Sequence, residues 1–282
     1  MEGFNIEFFL EGGRSRTGKL LAPKYGLLSM MVDACIQTPS RKVHFVPISI
    51  GYERIIEAGS YVDELTGGEK QKENLSGLLR TPRVLRRKYG RLYVQIGRII
   101  PFEAPPTTAD SRAPSPAARR RVVQHIAHQV THEINRVTVV TPASLVATAL
   151  LLNRGSSLSQ SGLVELSRVL ARTLEDLGAR FARTLQGPSS SIRLDTVEEA
   201  TRLFLDGKLI ARHERSGEVR FTVPDERRIA LEYYKNNLLH FFVPAALISA
   251  ALLKPGTGRT VAMVRAQVDE LSRLFKYEFL FH

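Results

Sequence analysis

The residues of this chain whose types and spacing could do chemistry lie near its start, in the segment Phe8–Lys19 (FFLEGGRSRTGK). The apolar run Ile6–Leu10 predicts a buried strand that leads into a glycine-containing loop. Glycines let a backbone approach a ligand closely and expose its N–H groups. Arg14 and Arg16 then flank Ser15, and guanidinium groups pair phosphate oxygens in a bidentate fork. The segment therefore indicates a phosphate-binding loop.

Two other interpretations of this segment can be weighed against the first. In a surface turn, the arginines would simply pair with Glu11 and its neighbours. The spacing from Gly13 to Lys19 also matches a P-loop, but the next residue is Leu20, where that motif needs Ser or Thr to hold magnesium. The P-loop pattern is thus incomplete, whereas the surface turn stays open as an alternative.

The same residues carry a resemblance to a known family. Phe9–Arg16 (FLEGGRSR) resembles the Phe-x-Glu-Gly-x-Arg-Ser-Arg block of the glycerolipid acyltransferase superfamily. Val46–Arg54 (VPISIGYER) is similar to the next block of that superfamily, a proline-containing strand that ends in Gly-Tyr-Glu or Ser-Tyr-Asp. Further matches follow in the family's order at Gly59–Leu65 and Leu231–His240. The subfamily most resembled is the bacterial membrane-associated glycerol-3-phosphate 1-O-acyltransferases, over nearly the whole chain.

This resemblance implies an activity, partners and a location. The implied reaction moves a fatty acyl group from acyl-CoA or acyl-carrier protein to the 1-hydroxyl of glycerol 3-phosphate, giving lysophosphatidic acid in the first step of phospholipid synthesis. It implies no metal and no cofactor beyond the acyl donor, which is a substrate. The implied location is peripheral, on the cytoplasmic face of the inner membrane, with an anionic membrane surface and no nucleic acid as partner. The implied substrate-binding residues are Glu11, Gly12, Gly13, Arg14, Ser15, Arg16 and Pro47.

The catalytic unit of the family is a His-x-x-x-x-Asp motif upstream of the Glu-Gly-x-Arg block, with histidine as general base. None of the seven histidines here has Asp five positions on. His128 has Glu133 there, but this pair follows the block, and we interpret it as a solvated helix face. Since only ten residues precede Glu11, we expect an N-terminally truncated, C-terminal portion of a larger enzyme. It would contain no catalytic residue, lack activity alone, and expose the apolar faces of Phe8–Leu10 and Val43–Ile50.

Composition limits the class of protein. The chain has 282 residues, 43% hydrophobic and 24% charged, which indicates a folded globular protein rather than a disordered or fibrous one. The net charge of +12 fits phosphorylated substrates, anionic lipid or nucleic acid. A single cysteine, Cys35, excludes a disulfide scaffold or a multi-cysteine zinc site and is expected in the core. The apolar run Leu238–Leu253 is shorter than the roughly 20 residues that span a bilayer.

The predicted fold class is α/β. It comprises a partial acyltransferase-type α/β layer followed by a mainly α-helical C-terminal domain with a small β-hairpin. We assign 1–104 to the C-terminal part of the acyltransferase domain, 105–118 to a Pro-rich linker, and 119–282 to the helical domain. Strands are expected at Val43–Tyr52 and Leu92–Pro101, paired in parallel, with Pro47 marking an edge or a bulge. Helices are expected at Tyr25–Ile36, Glu69–Lys88, Arg119–Asn135, Ser144–Leu152, Ser159–Leu185, Thr196–Leu205, Asp225–His240 and Arg259–Leu274, with a hairpin at Leu209–Val223.

Two segments suggest a different class of function, a non-catalytic lipid-surface or nucleic-acid-binding module. The helix and hairpin of Thr196–Val223 could form a winged helix, although Glu198, Glu199 and Asp206 would be unfavourable near a DNA backbone. The basic stretch Arg80–Arg91 could lie on anionic lipid, contact the phosphates of CoA, or form a solvated face. These alternatives stay open from the sequence.

Overall fold

A computed structural model describes residues 5–13, 17–53, 91–105, 114–153, 157–188, 191–253, 260–276 and 278–279. The helices of these residues are α1 (Tyr25–Gln37), α2 (Pro116–Val137), α3 (Pro142–Leu152), α4 (Gln160–Asp176), α5 (Leu194–Asp206), α6 (Arg228–Asn236), α7 (Leu239–Leu253) and α8 (Val261–Leu274). The strands are β1 (His44–Phe45), β2 (Ile48–Tyr52), β3 (Leu92–Ile96), β4 (Ile100–Pro101), β5 (Val139–Val140), β6 (Leu158–Ser159), β7 (Arg180–Phe181), β8 (Ala211–Arg215) and β9 (Glu218–Thr222). An α/β part followed by a mainly helical part with a β-hairpin confirms the predicted fold class.

The first four strands form one antiparallel ribbon, so the expected parallel pairing is wrong. β1 pairs with β4, and β2 pairs with β3 through five residue pairs from Ile48–Ile96 to Tyr52–Leu92. Between these paired stretches, Val46 and Pro47 face three residues, Gly97–Ile99, which is the arrangement of a β-bulge. Pro47 has no N–H to donate to the ladder, which explains why the pairing is interrupted there. The predicted bulge at Pro47 is therefore confirmed.

The apolar run Ile6–Leu10 is not a strand, which corrects our first prediction for the loop. These residues have irregular structure, and Phe9 is 66% exposed. The Gly12 N–H donates to the carbonyl of Phe9, so the run ends in a tight turn. An apolar run alone does not supply the neighbouring strand that would make it part of a sheet.

Helix α3 is the centre of the larger hydrophobic core. Thr141 and Ser144 form a capping box at its N-terminus, with Pro142 at the first helical position. The whole stretch from Pro142 to Leu151 is buried. The apolar faces of α4, α5 and α6 contribute further fully buried side chains to this core, namely Leu163, Leu174, Phe204, Leu231 and Tyr234.

Helix α2 connects the strand ribbon to the helical part. Ser115 caps it and Pro116 is its first residue, so it begins three residues before the predicted start at Arg119. Ile126 and Ala127 of α2 form a second core with residues of α1 and of the ribbon, which are Leu28, Val32, Phe45 and Ile100. Cys35 of α1 is buried, as predicted, and burial raises the pKa of its thiol. The division into domains at 105–118 stays a prediction.

Two predicted helices are shorter than the sequence pattern suggested. The helix expected over Ser159–Leu185 ends at Asp176, because the chain turns through Gly178 at a φ of +78° before β7. The helix expected over Asp225–His240 is a 3₁₀ turn followed by α6, which ends at Asn236. The hairpin of β8 and β9 turns at Ser216 and Gly217, as predicted.

The apolar helix α7 is buried along only part of its length. Leu247 and Ala251 are buried, whereas Leu252 and Leu253 are exposed, so α7 is buried on one side only. Within the described ranges, no single helix is long and apolar enough to cross a bilayer. The stretches Asp225–Asn236 and Leu239–Leu253 satisfy that test only together, and they are bent by 88°.

Candidate substrate-binding site

The predicted phosphate-binding loop is closed at its base by Glu11. The carboxylate of Glu11 accepts a hydrogen bond of 2.8 Å from the N–H of Leu21, and the N–H of Lys24 donates to the carbonyl of Leu10. Partial burial raises the pKa of Glu11, and the bond from Leu21 opposes that shift. Gly12 has a φ of +70°, in the left-handed region that favours glycine, and Gly13 is exposed. Glu11, Gly12 and Gly13 thus form one loop base.

Three of the predicted substrate-binding residues, Arg14, Ser15 and Arg16, lie outside the described residues. The chain is described again from Thr17, whose carbonyl accepts a hydrogen bond of 2.7 Å from the side-chain amide of Asn236. Lys19 Nζ lies 2.6 Å from a carboxylate oxygen of Glu278. The returning side of the loop therefore contacts residues more than 200 positions away. Asn236 lies in a stretch that we noted only for its resemblance, and no local signal in the sequence indicates this contact.

Pro47, the remaining predicted site residue, is buried in the bulge of the ribbon. Its carbonyl accepts a hydrogen bond of 2.8 Å from the N–H of Gly97. A Cβ on Gly97 would lie 3.2 Å from the Cβ of Pro47 and 3.3 Å from the Cβ of Glu133, so the three backbones pack tightly. Pro47 and Glu11 make their hydrogen bonds to separate parts of the chain, Gly97 and Leu21 respectively.

Glu133 is buried, which corrects the interpretation of His128 and Glu133 as a solvated helix face. Only His128 is exposed. The Glu133 carboxylate accepts a bond of 2.8 Å from the backbone N–H of Arg98 and two or more bonds from the guanidinium of Arg136. Hydrogen bonding by Arg136, followed by that of Arg98, lowers the pKa of Glu133 to about 2 despite burial. Glu133 thus holds the bulge that contains Pro47 against helix α2.

We expect Glu133→Gln to lower the free energy of unfolding by about 2 kcal/mol at pH 7, because an amide cannot replace a carboxylate as partner of Arg136 and Arg98. Since folding lowers the pKa of Glu133, its contribution is complete above the unfolded value of 4.5 and disappears as pH falls towards 2. Urea unfolding of both proteins between pH 7 and pH 3 measures this. The difference between them should shrink with falling pH, and a constant difference would contradict the assignment.

The two faces of β2 differ in what they contact. On one face, Ser49 Oγ lies 2.8 Å from Thr138 Oγ1, and a Cβ on Gly51 would lie 3.7 Å from the methyl carbon of Thr141. This face therefore packs on the α2–α3 connection. The opposite face of β2 and β3 carries six exposed apolar side chains, Ile48, Ile50, Tyr52, Leu92, Val94 and Ile96. The predicted exposure of an apolar face in this region is confirmed.

Glu53 directly follows β2 and lies in a polar network that joins the ribbon to the helical part. It is 3% exposed, and its carboxylate accepts hydrogen bonds from the Tyr93 hydroxyl and from the backbone N–H of Arg91 at 2.9 Å. The Tyr93 hydroxyl oxygen also lies 2.7 Å from the hydroxyl of Thr184, while the Arg91 guanidinium donates to Glu199 at 3.0 Å. Burial, followed by the bond to the Glu53 carboxylate, raises the pKa of Tyr93 to about 12. Tyr93 is therefore a neutral donor at physiological pH.

His240, the only histidine in the four resemblance blocks, has a structural role. Its ring Nε2 donates to the carbonyl of Asn135 at 3.2 Å, which joins α7 to the end of α2. Burial lowers its pKa to about 4, so the ring is neutral at pH 7. Because Nε2 holds the proton that it donates to this carbonyl, Nε2 is not available as a general base.

Comparison with known protein families shows the class of protein to which this chain belongs. Residues 1–51, which include the Glu11 loop and Pro47, match the family model described as Acyltransferase. Residues 61–282 match the model described as the Glycerol-3-phosphate acyltransferase C-terminal region. Because this second model covers more than half of the chain, the chain belongs to the glycerol-3-phosphate acyltransferase family. The resemblance inferred from the sequence blocks is confirmed.

Curated relatives of this chain are named glycerol-3-phosphate acyltransferase. The glycerol-3-phosphate acyltransferase of Xylella fastidiosa (strain M12) is 33% identical over 278 residues, covering 94% of this chain. That of Pasteurella multocida (strain Pm70) is 33% identical over 261 residues, covering 89%. That of Glaesserella parasuis serovar 5 (strain SH0165) is 31% identical over 262 residues, also covering 89%. The chain spans 31% of the length of each of these relatives.

Proposed function

We propose that this chain supplies the acceptor-binding part of an enzyme that acylates the 1-hydroxyl of glycerol 3-phosphate, giving lysophosphatidic acid for phospholipid synthesis. The observation that carries this proposal is the Glu11–Arg16 block, which lies within the acyltransferase match and has the donors a phosphate needs. Arg14, Ser15 and Arg16 would bind the acceptor phosphate, with Glu11, Gly12 and Gly13 forming the loop base. Pro47 would place the neighbouring strand at the acceptor or acyl chain.

The chemistry is acyl transfer from a thioester. A general base takes the proton of the acceptor hydroxyl, the oxygen attacks the thioester carbonyl, and the thiol of CoA or acyl-carrier protein leaves. No cofactor is needed, because the acyl donor already contains the activated carbonyl. The base implied by the resemblance is the histidine of a His-x-x-x-x-Asp motif, and this 282-residue sequence contains no such motif.

We therefore expect the isolated 282-residue chain to show no acyl transfer to glycerol 3-phosphate, because binding groups alone do not remove the hydroxyl proton. The measurement is formation of radiolabelled lysophosphatidic acid by the purified chain with palmitoyl-CoA or palmitoyl-acyl-carrier protein, against a mock preparation. Robust activity would contradict this expectation and place the base among residues of this chain.

We further propose that the protein acts peripherally on an anionic membrane surface, at the cytoplasmic face of the inner membrane, and does not bind nucleic acid. The support is the net charge of +12 together with exposed apolar side chains on α7 and α8, which are Ile248, Leu252, Leu253, Val261 and Met263. We expect the chain to co-sediment with phosphatidylglycerol vesicles but not with phosphatidylcholine vesicles, and to be released by salt. Retention on duplex DNA without vesicle binding would instead support the nucleic-acid alternative at Thr196–Val223.

A further inference from the structure

We propose that helix α6, near the opposite end of the chain, positions the acceptor-binding loop through Asn236 and the backbone of Tyr233. This inference rests on the proposed function and adds two positioning residues, Asn236 and Gly18, that the sequence blocks did not assign. Neither residue is expected to touch the substrate.

The first contact is the hydrogen bond from Asn236 Nδ2 to the carbonyl of Thr17, 2.7 Å long and partly buried. Thr17 directly follows Arg16, the last of the predicted phosphate-binding residues. A side-chain amide that donates to a backbone carbonyl fixes the position of that peptide unit. Asn236 therefore fixes the backbone at the end of the predicted phosphate-binding segment.

The second contact is the close approach of Gly18 to α6. Gly18 has a φ of +76°, and a Cβ added to it would overlap the carbonyl oxygen of Tyr233 and lie 2.9 Å from the carbonyl carbon. Only glycine satisfies both requirements, because any side chain would meet the helix backbone in a conformation that L residues rarely adopt. The loop is thus seated on the backbone of α6.

The loop has two other connections that limit its movement. Glu11 closes its base by accepting from Leu21, and Lys19 pairs with Glu278 at 2.6 Å while lying 5.3 Å from the ring centroid of Phe279. Lys19 follows the arginines in sequence, but here its charge is engaged by a carboxylate of the C-terminal region. The described parts of the loop are therefore held at its base and along its returning side.

The functional consequence concerns the acceptor rather than the acyl donor. Loosening the returning side of the loop adds conformational freedom that acceptor binding must then remove. Asn236→Ala should raise the KM for glycerol 3-phosphate about tenfold, the ratio expected when one hydrogen bond to a partly buried carbonyl is lost. The KM for acyl-CoA and the kcat should change by less than about twofold. Asn236→Asp, which keeps the size but cannot donate, should behave like Asn236→Ala.

The matched control is Gln160→Ala. Gln160 has the same terminal carboxamide group, but it is exposed at the start of α4, which makes none of the loop contacts described above. With each variant introduced at the gene's own locus, initial rates are measured in membranes of the native cells over a range of glycerol 3-phosphate. Wild-type membranes in which this gene contributes no such activity would contradict the proposed function. Active wild-type protein with an unchanged KM in Asn236→Ala, or an equal rise in both variants, would contradict only the inference.

A second pair of variants distinguishes the effect of the steric contact between Gly18 and α6 from the effect of backbone strain. Gly18→Ala places an L side chain at a positive φ, which strains the backbone, and also makes it clash with α6. Gly178→Ala, at a φ of +78°, causes the same backbone strain, but no atom lies within 4 Å of the new Cβ. Gly18→Ala should raise the KM for glycerol 3-phosphate more than tenfold, and Gly178→Ala should leave it unchanged. Equal KM values in the two variants would contradict the seating of the loop on α6, and thermal melting curves check that both proteins fold.

Discussion

Replacing Glu53 by alanine is expected to lower the free energy of unfolding by about 3 kcal/mol, near the lower end of the range for breaking a buried ion pair by removing one partner. The carboxylate is 3% exposed and has three partners, the Tyr93 hydroxyl, the Arg91 N–H and the Arg91 guanidinium at 3.6 Å. After its removal, the Arg91 N–H has no protein acceptor and a small cavity remains. The guanidinium is partly exposed and can turn to water or Glu199, which limits the loss.

Urea unfolding followed by circular dichroism measures this effect. Glu198→Ala on helix α5 is the matched control, because Glu198 is exposed and its removal should change the free energy of unfolding by less than about 0.5 kcal/mol. Glu53→Gln should lower the free energy of unfolding by an amount between those of Glu53→Ala and Glu198→Ala. Equal stabilities of the Glu53→Ala and Glu198→Ala proteins would show that the network does not join the ribbon to the helical part.

The largest effect on activity is expected from Arg14→Ala and Arg16→Ala. Each should lower kcat/KM for glycerol 3-phosphate about 100-fold, since a charged hydrogen-bonded contact to phosphate contributes up to about 3 kcal/mol. The loss should lie mainly in the KM for the acceptor, because the phosphate is bound in the ground state as well as in the transition state.

Steady-state rates in native membranes, with both substrates varied, measure this loss. Arg41→Ala is a suitable control, because Arg41 is an exposed arginine in the connection before β1. It removes the same charge from the chain without touching the block. If Arg14→Ala, Arg16→Ala and Arg41→Ala were alike, the block would be a surface turn, which is the alternative that the sequence left open.

Local patterns predicted the elements whose signals are local. Helix α1 was expected over Tyr25–Ile36 and is found over Tyr25–Gln37, because its apolar spacing is that of a helix packed on one side. The hairpin at Ser216 and Gly217 was predicted from its turn residues, and both residues have positive φ. Pro47 was expected to interrupt a strand, and it does so because proline has no N–H for the ladder.

Contacts between distant residues explain the main errors. Glu133 has charged neighbours on its helix and was interpreted as solvated, but its burial depends on Arg98, 35 residues earlier. The parallel pairing was inferred from helix-like segments between the strands, whereas the actual partner of β2 depends on the bulge at Pro47 and Gly97. The end of α4 could have been predicted, because the leucine spacing at 163, 166, 170, 174 and 177 stops just before Gly178, which has a positive φ.

Some parts of the candidate site could be predicted from the sequence, and others could not. The blocks around Glu11 and Pro47 were found from their residue types and order, and the family match includes both. The roles of Arg14, Ser15 and Arg16 stay predictions, as does the basic stretch Arg80–Arg91, of which only Arg91 lies within the described residues. The contact of Asn236 with Thr17 spans 219 positions and has no local signature.

The most direct test of the central claim is glycerol-3-phosphate acyl transfer in membranes of native cells with and without the gene for the whole enzyme that is proposed to contain this chain. We expect deletion to abolish or greatly reduce the formation of lysophosphatidic acid from glycerol 3-phosphate and acyl-CoA or acyl-carrier protein, and the restored gene to recover it. The restored Arg14→Ala gene should fail to recover it at low glycerol 3-phosphate. Membranes that keep full acyl transfer to glycerol 3-phosphate after deletion would contradict the account.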